Sequence, residues 1–260
     1  PNHALGWPAT LTATGCIDQE ASPSAELIPY AVNAPLWSDG TEKRRWIVLP
    51  PGERMVTTDD GEWSLPTGSV LVKQFDLRDE TGTLRPIETR LMTRWAFGWT
   101  FHSYRWRDDG LEADLLDGER SAYRTVTTSD GTFDYLFPSR ATCTACHRVQ
   151  AASVIGVSTV QLTAGPAGKG QLDRLFAVDA IDRIPTASPV PDPADLTDSL
   201  YNRARATLHA QCAHCHRPEG WAPPDLDLDL RWSTPWAQTR LCDVPTQYPA
   251  FFVPGDFRLS

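Results

Sequence analysis

PIETRLMTRWAFGWTFHSYRWR, Pro86 to Arg107, is the stretch that decides the architecture. It divides into two runs rich in Thr, Trp, Phe and Tyr, Pro86–Trp95 and Phe97–Arg107, a composition that suits a pleated, half-buried surface. Working outward, the same texture predicts strands at Arg44–Leu49, Ser69–Leu77 and Ser121–Thr127. Turn chemistry separates the runs: Asp59-Asp60-Gly61, Glu80-Thr81-Gly82, Asp108-Asp109-Gly110 and Asp130-Gly131. Short antiparallel strands at this spacing imply a sandwich or a strongly curved sheet. Residues 1–40, rich in Pro, Ala and Ser, read as an irregular lead-in.

The texture changes after Pro138. A short helix is expected over Gln171–Val178. The segment IPTASPVPDP, Ile184 to Pro193, has four prolines in ten residues and reads as a semi-rigid linker. Beyond it Asp195–Asp198 offers a cap to a helix over Ser199–Gln211, with Leu200, Ala204 and Leu208 on one face. The fold class expected is α+β: an antiparallel, sandwich-like β domain over residues 1–188, then a small helical domain over 189–260.

Two pentapeptides carry the chemistry, Cys143-Thr-Ala-Cys146-His147 and Cys212-Ala-His-Cys215-His216. Cys-x-x-Cys-His is the attachment pattern of a c-type haem: two thiols take the two vinyl groups, and the adjacent histidine is the proximal iron ligand. Together they account for four of the six cysteines and imply two covalently bound haem groups. The competing reading places all four thiols on one structural zinc. Against it stand the separation of about 65 residues, where ribbon-type sites use about 12–20, and a histidine after each second Cys. The remaining pair, Cys16 and Cys242, is either a disulfide tying the two ends of the chain or two unrelated thiols.

The net charge of −9 argues against a nucleic-acid partner, which calls for a basic stripe. It suits steering towards a basic redox protein. No run of about 18 apolar residues marks a membrane span. A beginning without Met, together with haem c attachment, leads us to expect an exported, matured chain in the periplasm or outside the cell.

Family resemblances extend this reading. YNRARATLHAQCAHCHRPEG, Tyr201 to Gly220, resembles the opening of a class I cytochrome c domain, in which a helix leads into the haem motif and a later Met is the sixth ligand. No Met follows His216, and Pro245, Pro249 and Pro254 interrupt the tail, so a truncated domain or one completed by a neighbouring subunit is expected. LIPYAVNAPLWSDGTEKRRW (27–46), LPTGSVLVKQFDL (65–77), IETRL (87–91), GWTFHSYRW (98–106) and CTACHRVQAASVIG (143–156) resemble a poorly characterised family of bacterial dihaem cytochromes. The Gly-x-Val-Leu-Val-Lys strand is also similar to that of the c′-β cytochromes, a β-sheet family with one haem, some relatives of which oxidise hydroxylamine.

Two side chains are distal-ligand candidates. Lys73 shares a face with Leu71, Phe75 and Leu77 by strand alternation; the resemblance to c′-β cytochromes makes it a haem-pocket lysine, whereas an edge strand would let its ammonium reach water. His102 shares a face with Thr100, Tyr104 and Trp106, and is either a sixth ligand or part of an aromatic cluster. His209 reads as a surface or haem-edge residue, His214 as pointing away from its own iron and able to approach another, and His3 cannot be assigned. Trp95, Phe97, Trp99, Phe101, Tyr104 and Trp106 form a core wall or a haem lining. Asp225, Asp227 and Asp229 offer calcium ligands or a solvated acidic face. The function expected is a dihaem electron carrier working with other redox proteins or cytochromes. The alternatives are a haem enzyme with an open iron for nitrogen oxides, hydroxylamine or peroxide, and a haem subunit of a larger complex.

Overall fold

The computed structural model describes all residues except 1–5, 19, 21, 60, 148–153, 164–169, 219, 224–225, 243 and 245–260. His3 and Asp225 fall outside the described residues. Six strands follow one another in spatial order as an antiparallel meander: β1 Ile28–Pro29, β2 Glu42–Val48, β3 Val70–Arg78, β4 Leu84–Trp95, β5 Gly98–Trp106 and β6 Ala113–Leu115. A hairpin, β7 Ala122–Thr128 and β8 Gly131–Phe137, forms a separate two-stranded sheet. Helices α1 Arg140–Cys146, α2 Thr159–Leu162, α3 Gln171–Ala177 and α4 Leu200–Cys212 follow. The class is α+β, mostly antiparallel sheet with a few helices. The second layer is a hairpin and not the full sheet of a sandwich.

Alternation sorts the side chains of the large sheet. Ile47, Leu71 and Met92 sit directly opposite one another and face a core closed by Trp63, Val157, Leu162, Leu172 and Leu175. Trp46, Val72 and Leu91, one residue out of phase, face the other way and join Tyr104 and Trp106 under Leu11, Ile17 and Leu27. The irregular lead-in is therefore the cover of this back face. It is tied down by Leu11 N–H to the Ala113 carbonyl at 2.9 Å and by Tyr104 Oη to the Pro8 carbonyl at 3.0 Å. Cys16 packs in this cluster. Both Cys16 and Cys242 are free thiols, so the disulfide between them is not formed.

At the far end of the front face the hairpin lays Tyr135 and Phe137 on Phe75, Leu77 and Ile87. Here the register shifts between Phe75 and Asp76, opposite Pro86, which has no N–H for the ladder and is tolerated at such an irregularity. Beneath the hairpin lies Glu88, fully buried. It accepts two hydrogen bonds from Arg90, both at 2.8 Å, and one from Tyr135 Oη at 2.8 Å. Burial alone would lower the Arg90 pKa; the Glu88 carboxylate outweighs it and raises it.

Two buried glutamines fix the segment after β1. Gln171 accepts from Ala31 N–H at 2.8 Å and donates to its carbonyl at 3.0 Å; Gln161 does the same for Ala34 at 2.9 and 3.1 Å. Helix α4 starts at Ser199, whose Oγ accepts from Asn202 N–H at 3.1 Å, as an N-cap should. Its buried face differs from the one its leucines suggest. Leu200 is 77% exposed and Ala204 is exposed, whereas Arg205, Ala206 and Ala210 are buried. Arg205 is accommodated because its guanidinium donates to the carbonyls of Arg231, Trp232 and Thr234 at 3.0, 3.3 and 2.6 Å. Ala206 and Ala210 pack on Ala34, Val190 and Trp232. The proline-rich segment is pinned there by Val190 N–H to the Val160 carbonyl at 2.9 Å.

Replacing Glu88 by Ala should cost about 3 kcal/mol, because it leaves the buried Tyr135 hydroxyl without its acceptor and the half-buried Arg90 guanidinium without its carboxylate. Urea unfolding of Glu88→Ala against the parent measures this; a change below about 0.5 kcal/mol would mean the carboxylate is dispensable.

Candidate functional site

The front face of the sheet is left uncovered between the hairpin and the core under α2 and α3, forming a cleft of about 240 Å³. Leu71, Met92 and Phe101 supply its apolar floor, and Val32 and Leu36 from the glutamine-clamped segment one wall. The opposite wall is α1, capped by Ser139 Oγ accepting from Thr142 N–H at 3.2 Å. The helix turns Cys143 and Cys146 into the cleft together with His147 at its end. The His147 ring lies against Phe101 with centroids 5.5 Å apart.

The second pentapeptide reaches the same cleft through His214. Cys212 ends α4, and the chain turns at once, with the N–H groups of Cys215 and His216 both donating to the Cys212 carbonyl at 3.1 and 2.9 Å. A Cβ at Gly220 would run into the Cys215 carbonyl oxygen, so the return of the chain needs glycine there. This turn carries His214 into the cleft wall and brings a nitrogen of His214 and the sulfurs of Cys146 and Cys215 within 4.8 Å of one another. Two motifs that the sequence places in separate domains thus meet at their second cysteines. Gln211 secures the approach by accepting from Trp37 N–H at 2.9 Å and donating to the Pro35 carbonyl at 3.0 Å, and Arg217 pairs with Glu62.

Burial raises the pKa of all four motif thiols, with Arg90 pulling the other way at Cys143. Cys143 and Cys212 are not part of the Cys146–His214–Cys215 group. A site drawing all four thiols onto one zinc is therefore not assembled.

The distal candidates part company. Lys73 faces the cleft, but its strand is central, paired to β2 through Arg45 and to β4 through Arg90, so the edge-strand reading is corrected. His102 is directed by alternation to the back face, between the cleft-facing Phe101 and Ser103, and its ring stacks on Trp7 with centroids 3.7 Å apart. That puts the imidazole on the far side of the sheet from His147. The aromatic block divides likewise: Trp99 and Phe101 pack on the front core, Tyr104 and Trp106 on the back, and Phe97 is exposed. Of the acidic alternation, the described Asp229 pairs with Arg231 and Asp227 with Arg240.

His209 is half-buried. It borders a smaller cavity of about 90 Å³ that shares His214, Gly156 and Gln161 with the cleft, and its Nδ1 accepts the Trp232 N–H at 3.1 Å. No family model, curated protein or solved structure matches the chain, so its chemistry is read from these side chains.

Burial holds the His209 pKa down to about 4, with Arg217 and Arg205 adding to the effect and Glu62 opposing it. The unfolded chain therefore takes up a proton near 6.5 that the folded chain refuses until about 4. Stability should be complete above pH 6.5 and fall as pH drops through this window, by roughly 2 kcal/mol from this group. Unfolding free energies measured from pH 4 to 7 in the parent and in His209→Gln check it; the same slope in both would contradict the assignment.

Proposed function

We propose that the chain is a dihaem c-type cytochrome, attached at Cys143, Cys146 and His147 and at Cys212, Cys215 and His216, that passes electrons between redox partners outside the cytoplasm. The observation that carries this reading is the cleft that Cys143, Cys146 and His147 face, with His214 of the second Cys-x-x-Cys-His motif in its wall. When bound, such groups supply reversible one-electron chemistry at iron, tuned by axial ligand and burial. The residues present suit that cargo. Thiols of raised pKa face the cleft, Phe101 orients the His147 ring, and Val32, Leu71 and Met92 exclude water around it. Arg45, Lys73 and Arg90 line the cleft and would supply positive charge to the carboxylates of a bound porphyrin.

His214 takes the place that His102 leaves. It is the imidazole delivered to the cleft from the second motif, and its Nδ1 is buried without a hydrogen-bond partner among the described residues. It is the better sixth-ligand candidate for the first site. Among the described residues no helix is long and apolar enough to cross a membrane.

A second reading draws on the Cys146–His214–Cys215 group, which has the donor set of a thiophilic metal such as zinc. The absorption spectrum separates the two. The haem reading expects a Soret band, with half the haem lost in Cys143→Ser/Cys146→Ser and half in Cys212→Ser/Cys215→Ser. EPR of the oxidised protein should show low-spin iron that becomes high-spin at one site in His214→Ala and in no site of His102→Ala. A colourless protein with stoichiometric zinc would favour the metal. Carbon monoxide binding to the parent would favour an enzyme over a carrier.

A further inference from the structure

Three cations stand side by side on the front of the sheet. Arg45, Lys73 and Arg90 are direct cross-strand neighbours on β2, β3 and β4, and all three line the cleft. Like charges opposite one another in a ladder repel. Their local supply of negative charge is short. Glu88 gives both carboxylate oxygens to Arg90 and shares one of them with Tyr135. Among the described residues neither Arg45 nor Lys73 has a carboxylate partner. Arg45 donates to the Lys43 carbonyl at 3.4 Å, and the Lys73 ammonium sits 4.9 Å from the centre of the Phe75 ring.

The electrostatics agree with the geometry. Burial first, then Arg45, Arg90 and Lys43, drive the Lys73 pKa well below its ordinary value, with only Glu88 opposing. Lys43 is itself pushed down to about 8 by burial and the same two arginines. Unbalanced cations crowded in a half-buried cleft are a state that a bound anion relieves.

We propose that Arg45 and Lys73, with Arg90 beside them, form a binding site for a carboxylate or small oxyanion inside the cleft. The planar fork of Arg45 suits two oxygens of one anion, and Lys73 adds a point charge from the neighbouring strand. The apolar floor of Leu71 and Met92 strengthens such a pair by keeping water away. The anion has two sources. One is a propionate of a porphyrin attached at Cys143 and Cys146, which rests on the haem reading; the other is a freely diffusing oxyanion, which does not.

The test uses the purified protein as isolated, beside Lys73→Met, Arg45→Gln and the charge-preserving Lys73→Arg. Thermal midpoint and absorption spectrum are recorded together during titration with sodium nitrite and sodium sulfate, with sodium chloride as the ionic-strength control. If a propionate fills the site, the protein shows a Soret band and neither oxyanion moves the parent midpoint. Lys73→Met and Arg45→Gln then melt about 5 °C lower, and Lys73→Arg melts close to the parent. If a free oxyanion fills it, nitrite or sulfate raises the parent midpoint saturably, and the two neutral substitutions abolish the response. The proposal is overturned if both neutral variants melt at or above the parent and no salt distinguishes them, since the cations then had no anion to lose. An oxyanion response without a Soret band would strike the haem reading and leave this site standing; a Soret band with neutral variants at or above the parent would do the reverse.

Discussion

The register across β2, β3, β4 and β5 is the constraint on which the rest of the molecule depends. Each strand has a period of two, so a slip of one residue would exchange the whole front row for the back row. Leu71, Lys73 and Phe75 would turn under the N-terminal cover, and Val72 and Gln74 would enter the cleft. Two different cores hold the register from opposite sides, one under α2 and α3 and one under the lead-in. The Glu88–Arg90–Tyr135 group locks it again at the hairpin end. A charge network of this kind adds little net stability against a hydrophobic replacement, but a register in which its members miss one another is heavily penalised.

Given that register, the cleft follows from what does not cover the sheet. The hairpin reaches Phe75 and the helical core reaches Leu71, and the row between them, Arg45, Lys73, Arg90 and Ser103, is left facing a gap. Helix α1 edges the gap because the chain leaves β8 directly into it. Helix α4 reaches it from about sixty residues further along, held by polar side chains beside the small apolar contact of Ala206 and Ala210. Gln211, Arg205 and the Arg217–Glu62 pair do this work. Polar docking of this sort fixes orientation sharply, since each donor has a defined acceptor, and orientation is what brings Cys215 and His214 to Cys146.

Much of this was legible from residue patterns. The expected strands at Arg44–Leu49, Ser69–Leu77, Pro86–Trp95, Phe97–Arg107 and Ser121–Thr127 lie within a few residues of β2, β3, β4, β5 and β7. Strand β8 is not among the expected strands although Phe133, Tyr135 and Phe137 alternate behind the Asp130-Gly131 turn, a signal of the right period. β1 and β6 are too short to leave one. The buried face of α4 differs from the one its leucines suggest because periodicity counts Arg205 as polar and cannot see three carbonyls waiting for it. His102 shows a different limit: alternation tells which residues share a face, and only the tertiary structure tells which face meets His147. The approach of Cys146 to Cys215 is non-local and has no sequence signal at all.

The central proposal is that both pentapeptides carry haem through thioether bonds while Cys16 and Cys242 stay free. Full reduction and denaturation followed by alkylation, read by intact mass, counts the thiols that remain reactive. The account predicts two alkylated cysteines, Cys16 and Cys242, on a chain still carrying the mass of two haem groups. Six alkylated cysteines on a chain of bare polypeptide mass would contradict it.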